Sequence, residues 1–150
     1  MLAARLVGAG VSVLLTVGDA DEDVERALQS ADARVRGIAV FRERLTVLSA
    51  LLARAALVVG NTTGPIHLAA ARGTPTLALH APWPTCGVSR WGPYSQRGWA
   101  IVADAPGARD WSHRQRRHMA EPLMRGVPPE LVLDVAQALL EGRHPDVKPK

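Results

Sequence analysis

Residues 57 to 79 read Leu57-Val58-Val59-Gly60-Asn61-Thr62-Thr63-Gly64-Pro65-Ile66-His67-Leu68-Ala69-Ala70-Ala71-Arg72-Gly73-Thr74-Pro75-Thr76-Leu77-Ala78-Leu79. The opening is apolar and β-branched, as a strand buried on both faces requires. A small polar turn follows from Asn61 to Gly64, and Pro65 suits the first position of a helix. Ile66, Ala69, Ala70 and Gly73 then fall on one side of that helix, small enough to let it lie close to a sheet. Gly73 is a fitting stop, and Thr76 to Leu79 reads as the next buried strand. The expectation is a strand, tight turn, short helix and strand, joined as one right-handed crossover.

The turn offers chemistry. The amides of Thr63, Gly64 and Ile66 are expected at the positive end of the helix dipole, unpaired within the helix and free to bind an anion. Gly64 has no side chain to keep a phosphate from the backbone. His67 lies in the first turn, where the dipole favours a neutral imidazole that donates one hydrogen bond. The same spacing is met by a plain capped turn, with Thr63 as its N-cap and His67 a surface residue.

Working outward, 150 residues are enough for one domain with a core of its own. A hydrophobic share of 47% against 21% charged residues excludes a disordered chain. No apolar run reaches the roughly 18 to 20 residues of a membrane span. Arg5 interrupts the apolar start, so residues 1 to 15 read as a helix and a strand rather than a leader peptide. Cys86 is the only cysteine, which excludes an internal disulfide, and no metal-ligand cluster is evident. A cytoplasmic protein is expected, with a peripheral position at the inner membrane surface as a variant.

The net charge of +4 is concentrated locally. Arg109, Arg114, Arg116 and Arg117 crowd with His113, His118 and Trp111, which reads as a solvated basic loop. Its functional alternatives are an anionic lipid surface, a phosphorylated sugar acceptor or nucleic acid.

The remaining chain alternates strands and helices. Met1 to Val7 is expected to be helical, closed by Gly8 and Gly10, and Val11 to Val17 to be a strand inside a sheet. Gly18 to Asp21 turns into a helix whose stripe is Val24, Ala27, Leu28 and Ala31. Glu22 or Asp23 at its start either caps it or reaches ribose hydroxyls, as acidic residues do at a comparable place in dinucleotide-binding folds. Val35 to Phe41 is a weaker strand broken by Arg36 and Gly37, and Leu45, Leu48, Leu51, Leu52 and Ala55 mark a core helix. Ala81 to Arg97 reads as a long loop, with Trp83, Trp91 and Tyr94 either walling a pocket or packing it down. Trp99 to Ala103 is the last strand, Asp104 to Glu121 an irregular basic stretch, and Leu131, Val135, Ala138 and Leu139 a closing helix. The pattern implies an α/β fold, a parallel sheet with helices on both faces. Residues 1–142 form the domain and 143–150 a loose tail.

Asn61-Thr62-Thr63-Gly64-Pro65-Ile66-His67-Leu68-Ala69-Ala70-Ala71 with Gly73-Thr74-Pro75 resembles the donor-site signature of glycosyltransferase family 9, the heptosyltransferase-like enzymes. Leu45 to Val59 and Trp91-Gly92-Pro93-Tyr94 extend the likeness, which covers about residues 1 to 141. Thr62 departs from it, standing where the family has Asp. The resemblance implies the Rossmann-like, donor-binding half of a two-domain GT-B fold. The family domain opens with a strand, a turn and a phosphate-contacting lysine; this chain begins in the helix after them and lacks the acceptor-binding half. It further implies a nucleotide-diphosphate sugar, ADP-heptose or a relative, as donor substrate, no cofactor, and inverting transfer to a glycan or lipid-linked acceptor. Donor contacts fall to Thr62, Thr63, Gly64 and His67, with Asp23 and the Glu43 turn near the nucleoside. The general base belongs to the absent half, which a partner chain would supply, so no catalytic residue is nominated here. The alternatives are a non-catalytic nucleotide- or anion-binding module and nucleic-acid binding through residues 109 to 117.

Overall fold

The computed structural model describes residues 2–18, 21–29, 35, 38–83, 85, 87–145 and 147. The chain forms two compact units, Met1–Leu45 and Thr46–Lys150. Several expectations lie outside the described residues: the turn at Asp19 and Ala20, Ala31 of the helix stripe, the Arg36-Gly37 break, Pro84 and Cys86.

In the first unit, helix α1 (Leu2–Gly8) leads to strand β1 (Leu14–Thr16), helix α2 (Glu22–Gln29) and strand β2 (Ala39–Phe41). Gly10, at φ 80°, takes the left-handed conformation that lets the chain leave α1 sharply. The strands pair in parallel, Leu14 opposite Ala39 and Thr16 opposite Phe41. Leu28, Val35 and Ile38 form the core, flanked by Ala3, Ala4, Val7, Val13 and Leu15. The expected interior strand Val11–Val17 is thus shorter and one-sided: Leu15 joins the core while Leu14 is 41% exposed, as alternation across a pleat dictates. The α2 stripe is also narrower than its spacing suggests, with Leu28 buried but Val24 and Ala27 exposed. Spacing sets which residues share a face; burial needs something packed against it. Asp21 closes the turn before α2, its carboxylate accepting from the Gly18 amide at 2.7 Å.

The second unit runs α3 (Leu45–Leu52), β3 (Val58–Asn61), α4 (Gly64–Ala71), β4 (Thr76–His80), α5 (Val88–Trp91), β5 (Gly98–Val102), a 3-10 turn (Ala108–Asp110), α6 (His113–Arg125) and α7 (Pro129–Leu140). Its sheet has the order β3-β4-β5, parallel throughout, with Asn61 opposite Leu79 and His80 opposite Val102. Together these are parallel sheets with helices, a Rossmann-like α/β fold. β4, between its neighbours, buries Thr76, Leu77, Ala78 and His80. β3 has one partner in this sheet, so Val58 and Val59 are half-buried rather than covered on both faces.

The crossover forms as its sequence implies. Ile66, Ala69 and Ala70 are buried at 1%, 0% and 6% exposure, and α4 packs on β3 and β4. Gly73 stops the helix at φ 76°, and the Thr74 hydroxyl, buried, donates to the Leu52 carbonyl at 2.9 Å. α7 buries Val132, Val135, Ala136, Ala138 and Leu139, while Leu131 of the expected stripe is exposed.

Further segments differ from expectation. The loop from Ala81 to Arg97 contains the helical turn α5. The basic stretch is ordered into α6, opened by a capping box in which the Ser112 hydroxyl accepts from the Gln115 backbone amide and the Gln115 side-chain Oε1 accepts from the Ser112 backbone amide. Pro122 lies inside that helix, where its missing N–H costs one intrahelical bond near the end. No side chain of α6 is fully buried; the half-buried ones, Arg116, Ala120, Leu123 and Met124, share one face. His144, in the segment expected to be a tail, stacks on Trp99 with ring centroids 5.6 Å apart. No helix among the described residues is long and apolar enough to cross a membrane.

Candidate functional site

The carboxyl edge of a parallel sheet is where strands release the chain into turns, and where ligands of such folds bind. β3 ends there at Asn61, Thr62 and Thr63 make the turn, and α4 starts at Gly64. Thr63 occupies the N-cap position in an extended conformation, φ −125° and ψ 170°, but its hydroxyl does not cap the helix. It donates instead to the Asn61 carbonyl at 3.3 Å. Pro65 falls one residue later than expected, because Gly64 already belongs to the helix.

The three amides expected to be open are not equivalent. Thr63 N–H donates to the Asn61 carbonyl at 2.7 Å, and Ile66 N–H to the Thr63 carbonyl at 3.1 Å. Gly64 N–H alone of the three is unengaged among the described residues. Gly64 is exposed, and a Cβ built on it meets no atom within 4 Å, so the space beside its Cα is open. An unengaged amide at a helix N-terminus is a donor for an anion.

Thr62 turns inward. Its hydroxyl donates to the Leu79 carbonyl at 3.2 Å and lies 3.3 Å from His80 Nδ1. His80 ends β4 and is 0% exposed. Sequence reasoning passed over this residue; the one available signal was a polar side chain closing an otherwise apolar strand.

His67, one turn into α4, is half-buried, and its ring stands 6.1 Å from that of Trp91 at a tilt of 57°. The two open onto a cleft of about 460 Å³ that Arg90, Pro93, Tyr94 and Trp99 also line. The Trp91 indole N–H donates to the Thr85 carbonyl at 3.0 Å, and the Arg90 guanidinium lies 5.8 Å from the Trp91 ring centroid. This separates the three loop aromatics: Trp83 is buried and packs the loop, Trp91 walls the cleft, and Tyr94 is 98% exposed at its rim. A second cavity of about 480 Å³ follows β5 at the carboxyl edge, with Pro82, Asp104, Gly107 and Asp110 in its lining. It was not anticipated, because its walls come from segments read as irregular.

Thr62, Thr63, Gly64 and His67 are therefore brought together by one strand–helix turn. Asp23 and Glu43 belong to the other unit. Asp23 is exposed and paired with Arg26 one helical turn away, and Glu43 is exposed in the turn before α3. On α6, His113, Arg114, Arg117 and His118 are exposed, so the basic cluster is a helix face and not a loop.

The model of glycosyltransferase family 9 (heptosyltransferase) matches residues 1–120 of the chain. Among solved structures, the chain is similar to the E. coli ADP-heptose lps heptosyltransferase II, with a TM-score of 0.69 and 23% identity over 94% of this chain and 40% of that one. It is similar likewise to a family 9 glycosyl transferase from Veillonella parvula DSM 2008, with a TM-score of 0.69 and 22% identity over 94% of this chain and 40% of that one. The chain thus spans about 40% of the length of either neighbour. No curated protein matches it. At these identities the structural likeness is one of fold, that of part of a GT-B glycosyltransferase.

Proposed function

The chain belongs to glycosyltransferase family 9, and from that premise we propose that it is the donor-binding part of an inverting glycosyltransferase. The donor is a nucleotide-diphosphate sugar, of the ADP-heptose type named for the E. coli neighbour. The acceptor is a glycan of the lipopolysaccharide kind, and the work is done in the cytoplasm or at the inner membrane surface. The observation that carries this reading is the strand–turn–helix unit, which sets the unengaged Gly64 amide and the His67 imidazole on one helix end at the carboxyl edge of the sheet.

These two donors suit a diphosphate. As the sugar–oxygen bond lengthens, negative charge grows on the departing phosphate, and a fixed amide and an imidazole N–H stabilise it without reorganisation. The sugar gains oxocarbenium character and an acceptor hydroxyl attacks from the opposite face. The base that takes the hydroxyl proton comes from the acceptor-binding half, so every step assigned to this chain is binding and charge stabilisation. Asp23 and Glu43 are the candidates for nucleoside contact, and no metal or cofactor is required.

A thermal melt with and without millimolar ADP, repeated for His67→Ala, tests this. A ligand that prefers the folded state stabilises it by about 2.7 kcal/mol at one hundred times its Kd. The expected result is a cooperative melt raised by ADP in the unmutated chain and not in the variant. A cooperative melt indifferent to ADP would overturn the reading. The inward-facing Thr62, which leaves this turn without a carboxylate, favours as second reading a nucleotide-binding module without transfer activity. Turnover on adding an acceptor-binding chain would exclude it. Nucleic-acid binding through α6 predicts steeply salt-dependent affinity that survives His67→Ala.

A further inference from the structure

We infer that Thr62 and His80 act as one positioning pair, which locks the turn before α4 to the end of β4 and withdraws the Thr62 side chain from the ligand. The inference rests on the donor-site reading of the turn and changes the role of one residue assigned to it. Thr62 and His80 are 18 residues apart in the chain and meet only because β3 and β4 pair with Asn61 opposite Leu79. That register sets Thr62, the first residue beyond the strand, beside the last residue of β4.

The two contacts of the Thr62 hydroxyl suggest a direction for the bond. A threonine hydroxyl has one proton, and Thr62 places it on the Leu79 carbonyl at 3.2 Å. The remaining contact, 3.3 Å to His80 Nδ1, is then a bond in which the ring N–H donates and the hydroxyl oxygen accepts. His80 is therefore assigned a proton on Nδ1. With its one proton given inside the sheet, the Thr62 hydroxyl has none left for a phosphate, and the turn is held by a side-chain bridge where Thr63 supplies no helix cap.

Three consequences separate a positioning pair from a ligand contact. Removing either member loosens the same element, so the two losses do not multiply. An asparagine at residue 80, whose side-chain N–H lies near the place of imidazole Nδ1–H, restores the bond and the function. Serine at residue 62 keeps the hydroxyl and is tolerated, whereas valine, of the same shape, is not.

The test is ADP affinity measured by calorimetry on the whole chain and on Thr62→Val, His80→Leu, the double variant, Thr62→Ser and His80→Asn. Each of the first two is expected to weaken ADP by roughly tenfold, and the double variant by no more than either alone, the signature of coupled residues. Thr62→Ser and His80→Asn are expected to stay within about threefold of the unmutated chain, a spread ordinary for non-disruptive changes. Losses that multiply in the double variant, or a loss in Thr62→Val with none in His80→Leu, would overturn the inference by making Thr62 a direct ligand contact. Nitrogen-15 spectra of the labelled histidines provide a reading independent of any nucleotide. His80 with its proton on Nδ1, displaced by Thr62→Val, supports the pair; an unprotonated Nδ1 overturns it. If the unmutated chain ignores ADP, the donor-site reading fails, and the spectra still decide whether the pair exists.

Discussion

Replacing Ile66 with alanine tests whether α4 is docked on the sheet as described. Ile66 is 1% exposed and faces Gly60 of β3, on which a Cβ would lie 3.5 Å from Ile66 Cγ1. The substitution removes about three carbon groups, worth roughly 2.4 kcal/mol of transfer free energy at ~0.8 kcal/mol each. A cavity cost adds to this, because glycine has no side chain with which to fill the gap, and buried Ile→Ala changes span about 2 to 5 kcal/mol. We expect about 3 to 4 kcal/mol. The assay is a urea titration read by tryptophan fluorescence. All four tryptophans lie beyond residue 45, so the signal reports on the unit that contains α4. With a slope of about 2 kcal/mol/M, the midpoint should fall by roughly 1.5 to 2 M. Gly60→Ala added to Ile66→Ala should recover up to about 0.8 kcal/mol, since one methyl enters the vacated space. A loss below about 1 kcal/mol for Ile66→Ala would refute the packing and with it the placement of the turn.

Other substitutions divide folding from binding. Gly64→Ala meets no atom within 4 Å, so the urea midpoint should hold or rise slightly, while stabilisation by ADP should shrink as the methyl crowds the approach to the amide. Gly73→Ala forces a side chain onto φ 76° and should cost about 1 to 2 kcal/mol in the same titration, with the ADP response retained. Ser112→Ala breaks the capping box of α6, worth about 1 kcal/mol. Because α6 has no fully buried side chain, hydrogen exchange should show that loss within the helix and leave β4 protected as before.

The crossover from Val58 to Ala71 could be read from the chain because each signal in it is local. An apolar β-branched run, a proline near the helix start, small residues at helical spacing and a glycine stop lie within a few residues of the features they specify. α6 was missed for a different reason. Its arginines draw attention as a charge cluster although arginine favours helix, whereas Ser112 and Gln115, three apart, specify the start of one. The extents of burial on β1 and α2 were overestimated because an apolar stripe records a capacity for contact, and Leu14 and Val24 are left outside it. The role of Thr62 lay furthest from reach. Its direction depends on the register of β3 against β4, and therefore on a contact 18 residues away.

Helix α4 is only 8 residues long. Isolated helices shorter than about 12 to 15 residues are marginal in water. The segment from Leu57 to Leu79, made as a free peptide or grafted into an unrelated loop, would therefore keep every residue of its signature and lose the helix. The Gly64 amide and the His67 ring acquire their common orientation only when Ile66, Ala69 and Ala70 have sheet to rest upon. A nucleotide bound at this turn would thus serve as a folding ligand for the whole unit from Thr46 onward, and mutations deep in β4 would register first as lost affinity. Such motifs are not portable parts: their chemistry is a property of the assembled layer beneath them.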